Sequence, residues 1–366
     1  MSNNVKWVWL ITLGSVFLMQ AKELPMNFYG IVLAGGSGER LWPLSRRNKP
    51  KQFLSVDSQK NLLDEAIDRL SLCLPPENIL ILASHNHKSH TSHYSDRYQL
   101  LVEPSSRNTG PAILNACFQM LKKDPNAIVI FVPADQYVPK TDYHLFAQYV
   151  EQAVNFAANN NKIALLGVKP SYPATGYGYI EYDQEKVING LYEVKRFHEK
   201  PSEKLASFYT QMPHMLWNIC MFAARASVFV DEFSHVAPEL YQEVLAWHKG
   251  DISYDEISNI SIDYAVLERS NQVFVLPVDF GWCDVGNLDV FLTTKQKLQE
   301  LNFSTVLLDS SNNVVDVPDK LIALVGVHDL CIVDTPDVLL IAKRTEAEKV
   351  RSIVNFLKKT NQTEYL

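Results

Sequence analysis

Residues 31–40 read Ile-Val-Leu-Ala-Gly-Gly-Ser-Gly-Glu-Arg, an apolar strand running straight into a glycine cluster. Three of the chain's 14 glycines, Gly35, Gly36 and Gly38, fall within four positions. Without Cβ atoms, such a turn can fold tightly and aim successive N–H groups at a phosphate. Neither standard nucleotide motif fits. A P-loop needs Gly-Lys-Ser/Thr after the turn, and a dinucleotide fingerprint needs a glycine where Leu41 stands. The continuation is basic: Arg40, Arg46, Arg47, Lys49 and Lys51 put five cations within 12 residues. A solvated basic loop explains those charges, but not their position directly after a strand-end glycine turn.

Outward from this strand the chain alternates. Apolar β-type runs at 29–34, 79–83, 100–103 and 127–132 are separated by amphipathic stretches at 61–72, 111–121 and 143–156. That order predicts right-handed crossovers and an α/β, Rossmann-like mixed, mostly parallel sheet with ligands outside the strands' carboxyl ends. From about residue 163 shorter strands are expected at 177–182, 187–198 and 216–223, and helices at 262–269 and 285–297. Beyond Phe303 the texture changes again. Short strands at 305–308, 313–315, 321–324, 330–333 and 338–342 are split by Asp-Ser-Ser-Asn-Asn, Val-Pro-Asp and Asp-Thr-Pro-Asp turns. Stacked β-coils, a small β-helix-like unit, are the expectation there, closed by an amphipathic helix at 346–357. The chain thus divides into an apolar extension (1–25), an α/β domain (26–300) and a β-coil domain (301–366).

Composition narrows the classes. The 366 residues carry 34 Lys and Arg against 41 Asp and Glu, a net charge of −7. With 17 Phe, 16 Tyr and six Trp the chain is neither disordered nor collagen-like. Its acidity argues against a nucleic-acid partner, for which no excess of cations is available. The five cysteines are widely spaced without a Cys-x-x-Cys pair, so neither a disulfide framework nor a zinc site is expected. Lys6 and the apolar residues 7–19 have the length of a signal-peptide core and are short for a bilayer span. A cut after Ala21 would put Met19 where a small residue is needed. An upstream extension before a start at Met26 is therefore favoured over export. No later apolar run approaches membrane-spanning length, and a cytoplasmic location is expected.

The stretch Leu33-Ala-Gly-Gly-Ser-Gly-Glu-Arg-Leu-Trp-Pro-Leu-Ser-Arg46, with Lys49-Pro-Lys-Gln-Phe-Leu54, resembles the signature of sugar-nucleotide pyrophosphorylases, in the mannose-1-phosphate guanylyltransferase branch. Further segments agree in that family's order. They are Glu103-Pro-Ser-Ser-Arg-Asn-Thr-Gly-Pro111, Val132-Pro-Ala-Asp-Gln136, Gly176-Tyr-Gly-Tyr-Ile-Glu181 and Phe197-His-Glu-Lys-Pro201. Trp217-Asn218, Ser261-Ile-Asp-Tyr-Ala265 and Gly281-Trp-Cys-Asp-Val-Gly286 follow. The likeness runs from about Met26 to the end.

The resemblance implies a nucleotidyltransferase domain followed by a β-helix-like one, with GTP and mannose 1-phosphate as substrates and Mg²⁺ as cofactor. It implies that Leu33, Ala34, Gly35, Gly36 and Gly38 face the nucleotide, and that Arg40 and Lys51 hold the triphosphate. The base-recognition loop is then Arg107, Asn108 and Thr109. Asp135 and Asp284 would ligate the metal, a hard ion suited to few carboxylates plus phosphate oxygens. Gly178, Glu181, Glu199, Lys200 and Asn218 would take the sugar phosphate. Two polyanions must meet, so Arg40, Lys51 and Asp135 would act by positioning and charge neutralisation.

The chain departs from the family at a few positions. Ile219 and Cys220 stand where a small residue and glycine are usual, and the expectation is a narrowed sugar pocket. Gly110 replaces a usual alanine and Cys283 a usual serine, both small changes. A histidine-rich isomerase domain of many bacterial relatives is not expected, and His85, His87, His90 and His93 read as a polar face rather than a metal site. A homodimer is expected from the exposed ends of stacked β-coils. Two alternatives stay open: the same chemistry on another sugar phosphate or nucleotide, and a non-catalytic nucleotide-sugar-sensing subunit. Retention of Arg40, Lys51, Asp135 and Asp284 together speaks against the second.

Overall fold

A computed structural model describes residues 24–366 apart from Met26, Ser37, Ser58, residues 299–304 and Asp319. The apolar residues before 24 and the expected domain junction near 300 lie outside the described residues. The larger unit is a nine-stranded mixed sheet. Its strands are β1 (Phe28–Ala34), β2 (Ile79–Ser84), β3 (Gln99–Glu103), β4 (Ile128–Pro133), β5 (Ile163–Val168), β6 (Gly178–Ile188), β7 (Leu191–Glu199), β8 (Met215–Arg225) and β9 (Val273–Val278). They lie in the order β3-β2-β1-β4-β8-β5-β9-β7-β6.

Parallel pairing joins β1 to β2 and β4, β2 to β3, and β5 to β9. From β4 onward the strands enter mainly antiparallel, as β4 with β8, β8 with β5 and β6, and β7 with β6 and β9. Continuous apolar runs make the central strands, because helices cover both of their faces. Every residue of β4 is buried. Ile31 points into a core shared with helices Thr109–Lys123 and Ala226–Val236, whereas its neighbour Val32 joins helices Leu62–Leu70 and Tyr143–Asn160 on the opposite face.

Two expectations need correction. The single strand expected at 187–198 is a hairpin: Asn189 and Gly190 both take positive φ, 51° and 85°, and join β6 to β7. An Asn-Gly pair in that conformation matches the twist of antiparallel strands, so the turn overrides the apolar continuity. The helix expected at 262–269 is a short wide turn of π type, Asp263–Leu267.

The smaller unit stacks β10 (Thr305–Leu308) on β12 (Ile322–Val325) and β11 (Val314–Asp316) on β13 (Leu330–Asp334), with β14 (Leu339–Lys343) antiparallel to β13. Both parallel pairs, and the turn contacts Ser311–His328 and Asn312–Asp329, share one offset of 17 residues. This constant offset is the mark of stacked coils. Leu41, Trp42 and Leu54, from the segment after the glycine cluster, share one core with Val314, Cys331, Leu340, Val350 and Val354. The β-coil unit therefore braces the glycine turn.

Candidate active site

The glycine turn leaves the carboxyl end of β1, where ligands of open α/β sheets collect. Gly38 has φ +67°, and a Cβ there would stand 2.4 Å from the Lys51 Cβ. Glycine is therefore required for Lys51 to pass over the turn. The Lys51 side chain is buried and its Nζ lies 3.0 Å from Asp135 Oδ2 and 3.4 Å from Asp284 Oδ1. Burial lowers the Lys51 pKa, but the two carboxylates outweigh it and hold the ammonium above its ordinary value. Burial and the neighbouring Asp135 push the Asp284 carboxyl up, against the pull of Lys51.

Asp135 stands two residues beyond the end of β4, and Asp284 sits in the loop after β9. The segments are held together by reciprocal backbone bonds: Tyr137 N–H to Cys283 O at 2.9 Å and Cys283 N–H to Tyr137 O at 3.0 Å. Two carboxylates share one ammonium, leaving one negative charge over. Asp135 lines one cleft and Asp284 a neighbouring pocket, and two hard oxygen donors held on one ammonium suit a divalent cation whose remaining ligands come from phosphate and water. Among the described residues no group of three or more His, Cys, Asp or Glu forms a further metal cage. Of the clustered histidines, His85 and His93 are exposed and His90 is half-buried, while His87 is buried.

A cleft of about 290 Å³ opens beside Lys51 and is lined by Leu33, Ala34, Gly35, Gly36, Arg107, Asn108, Thr109 and Asp135. Eight of the residues that the resemblance assigns to the nucleotide thus line one cleft, whereas Gly38, Arg40 and Lys51 lie outside its lining. Asn108 takes φ 68° and its Oδ1 accepts the Thr109 N–H at 2.9 Å, capping helix Thr109–Lys123. The Thr109 hydroxyl accepts from Ile262 N–H at 2.9 Å, and Arg107 donates to the Asp255 carboxylate at 3.2 Å. These contacts fix the shape of the loop where it lines the cleft. Gly110 is less innocuous than its size suggests, since a Cβ would meet the Ile260 carbonyl at 2.6 Å.

The basic loop is divided. Arg40 stays exposed, 3.5 Å from Glu348 of the β-coil unit, in the neighbouring pocket that Asp284 also lines. Arg46 turns away: it donates to the Pro43 carbonyl at 2.8 Å, to the Tyr365 carbonyl and to Asp337 at 2.9 Å. It ties the loop to the carboxyl-terminal unit rather than facing the cleft.

On the sugar side Gly178 and Glu199 fit face to face, for a Cβ on Gly178 would stand 2.6 Å from Glu199 Oε2. Lys200 bonds the Glu199 carboxylate. Asn218 is buried and its polar atoms are engaged: Nδ2 donates to Asp263 at 2.9 Å and Oδ1 accepts the Cys220 N–H at 3.0 Å. It pins the irregular turn of β8, where Cys220 has φ 55°. Glu181 does not join this group. Strand alternation sends it to the opposite face with Tyr179, where His214 and His198 are its partners at 3.8 and 3.9 Å.

Of the bulky pair, Ile219 is fully buried in the core and does not face Glu199 and Lys200, whereas Cys220 lines the nucleotide cleft with its Sγ 3.8 Å from Asn218 Nδ2.

Sequence reasoning assigned no role to four residues that shape the site. Gln52 Nε2 donates to the Ala34 carbonyl at 3.0 Å, with His87 packed against the same carbonyl. Asp263 holds Asn218, and burial beside Glu199 raises its carboxyl to about 6 despite the opposing Lys200. Glu103 lines the cleft and accepts from the Tyr254 hydroxyl, while burial raises its pKa to about 7. Gln52, Glu103 and Asp263 all lie inside the quoted motifs, and that was the available signal.

The nucleotidyl transferase family matches residues 29–300, and the mannoseP isomerase/GMP-like β-helix domain matches residues 304–357. The RfbM mannose-1-phosphate guanylyltransferase of Salmonella typhimurium is 33% identical over 93% of this chain and 74% of its own length. Mannose-1-phosphate guanylyltransferase 2 of Escherichia coli O157:H7 is 32% identical over 92% and 74%. A Thermus thermophilus crystal structure, described as a mannose-1-phosphate geranyltransferase, superposes with a TM-score of 0.82 at 31% identity. That superposition covers 91% of this chain and 100% of the other.

Proposed function

The chain belongs to the nucleotidyl transferase family, in its mannose-1-phosphate guanylyltransferase branch, and from that premise we propose how its site works. The enzyme transfers GMP from GTP to α-D-mannose 1-phosphate, giving GDP-mannose and pyrophosphate. A phosphate oxygen of the sugar attacks the α-phosphorus in line as the bond to the bridging oxygen of pyrophosphate breaks. No side chain need form a covalent bond. The chain's task is to bring two polyanions together and offset the charge that builds on the leaving oxygens.

The observation that carries this reading is Lys51, buried under the glycine turn with Asp135 and Asp284 on its ammonium. Lys51 is fixed where the phosphates meet, so it neutralises without reorganising. Gly35, Gly36 and Gly38 let the backbone approach the triphosphate, and the exposed Arg40 meets its outer end. Leu33 and Ala34 form the cleft floor, and the loop Arg107–Thr109 meets the base. Gly178, Glu199 and Lys200 take the sugar phosphate, while Asn218 shapes that side from beneath. Glu181 belongs to the opposite face. Asp135 and Asp284 would hold Mg²⁺, which when bound would neutralise phosphate charge and draw the α-phosphorus toward attack.

A homodimer is supported by exposed apolar side chains on the β-coil unit, among them Val306, Leu308, Val325, Leu339 and Ile341. Light scattering of the purified protein tests it, and a monomer at assay concentration overturns it. No helix among the described residues is long and apolar enough to cross a membrane. A cytoplasmic site of action fits an enzyme that consumes GTP, and recovery from the periplasm after fractionation would contradict it. The units 26–300 and 301–366 serve catalysis and bracing respectively.

The test of the activity is pyrophosphate release from purified protein with a panel of sugar 1-phosphates against GTP and ATP. Release with GTP and mannose 1-phosphate above all other pairs is expected. A preference for another pair would reassign the substrates, and silence with every pair would leave only the sensing role.

A further inference from the structure

We propose that Gln136 is the positioning residue that sets the orientation of the Asp135 and Asp284 segments against β8. Its side chain is buried and spans two elements of the site. Nε2 donates to the Ile219 carbonyl at 3.0 Å, and Oε1 accepts the Trp282 indole N–H at 2.9 Å. Ile219 belongs to the irregular turn of β8 that brings Cys220 to the nucleotide cleft. Trp282 stands two residues before Asp284.

The backbone of Gln136 is anchored too, since its carbonyl accepts from the buried Arg69 guanidinium at 3.3 Å. One residue on, Tyr137 and Cys283 exchange both of their backbone bonds. The segments 135–137 and 282–284 are therefore joined twice, once by backbone and once by the Gln136 amide. The backbone pair fixes their separation, and the amide fixes their rotation against β8.

The chemistry of the position is narrow. A primary amide donates and accepts at once, which this place requires. A methionine of similar reach would leave both the Ile219 carbonyl and the Trp282 N–H unpaired in the interior, each a costly loss. Groups that orient metal-bound carboxylates typically govern ion affinity by ~10–100-fold when removed. A residue with a merely structural role would change stability and leave ion affinity alone.

The inference rests on the reading that Asp135 and Asp284 hold a divalent cation, and the test separates the two. Mn²⁺ alone is titrated into the full-length protein, and free ion is measured by electron paramagnetic resonance. Wild type, Asp284→Asn, Gln136→Met, Trp282→Phe and the double variant Gln136→Met/Trp282→Phe are compared. Thermal melts check that each is folded. Mn²⁺ binding by wild type that is lost in Asp284→Asn identifies the site.

Gln136→Met is then expected to weaken Mn²⁺ tenfold or more, Trp282→Phe less, and the double variant no more than Gln136→Met alone. Such non-additivity is expected when one contact acts through the other. Should Gln136→Met fail to fold, Trp282→Phe carries the test, because it removes one donor and keeps a ring. Wild-type Mn²⁺ affinity in the folded variants, with Asp284→Asn silent, overturns the role of Gln136. Undiminished binding by Asp284→Asn overturns the metal reading itself, and this inference with it.

Discussion

Replacing Gly38 with alanine should separate chemistry from stability. The added Cβ would stand 2.4 Å from the Lys51 Cβ, 3.0 Å from its N and 3.2 Å from its Cα, where ordinary contact begins at 3.4 Å. Two of those atoms are backbone, so no rotamer of Lys51 relieves the overlap. The segment must retreat by roughly 1 Å, enough to part an ion pair now at 3.0 Å. A misplacement of about 1 Å at a reacting centre typically costs ~10²-fold in rate, which is ~2.7 kcal/mol in barrier. The left-handed conformation (φ +67°) adds about 1–2 kcal/mol of strain for alanine. In a chain this long that strain lowers Tm by only a few degrees. The expected result is a folded protein with kcat down about 100-fold. Gly36→Ala is the control: its Cβ meets nothing within 4 Å and no left-handed φ is involved, so its melt should match wild type. The assay is steady-state pyrophosphate release alongside thermal melts. Turnover of Gly38→Ala within threefold of wild type would refute the claim that Lys51 must sit where it does.

Lys51→Met should lose ~10²–10³ in kcat, as when one pre-placed charge stabiliser is removed. Its metal-free melt should fall and recover on adding millimolar Mg²⁺, because Asp135 and Asp284 are left facing each other without a cation; no recovery would count against the shared site. Asp263→Ala should raise KM for mannose 1-phosphate more than for GTP, since it frees Asn218 and the turn at Cys220; equal changes in separate titrations would contradict this. Glu65 is buried with both oxygens unpaired, and burial lifts its pKa to about 7. Its folded pKa lies above the unfolded one, so stability is full below about 4.5 and is lost as pH rises through about 7. Glu65→Gln should therefore raise Tm at pH 8 more than at pH 5, and an equal shift at both would show that the carboxyl is not the cause.

The fold was legible where periodicity and punctuation agreed. The strand at 29–34, the alternation through residue 156 and the short β-coil strands follow from apolar runs broken by turn residues. The hairpin at Asn189–Gly190 was missed because Val187, Ile188 and Leu191 look like one strand when the turn signal is passed over. The antiparallel half of the sheet was unreadable because period-2 patterns do not encode a strand's direction.

The site was legible by a different route. Lys51, Asp135 and Asp284 are far apart in the chain, and only the ordered set of motifs joined them. Residues acting through hydrogen bonds stayed hidden: Gln136 and Asp263 carry no charge pattern or spacing that distinguishes a strut from a ligand. Glu181 shows the opposite error. Its motif placed it with Gly178, but three positions along a strand is an odd number, and an odd step changes face. Arg46 likewise counted among the five cations of the basic loop, whereas its partners are Tyr365 and Asp337 of the carboxyl-terminal unit.

The central claim is that Lys51, held between Asp135 and Asp284, serves the transfer of GMP to mannose 1-phosphate. The most direct measurement is ³¹P nuclear magnetic resonance of the full-length protein with GTP, mannose 1-phosphate and Mg²⁺. The account predicts equal growth of pyrophosphate and GDP-mannose signals in wild type and their near absence in Lys51→Met. Release of inorganic phosphate without nucleotide sugar, or equal rates in the two proteins, would contradict it.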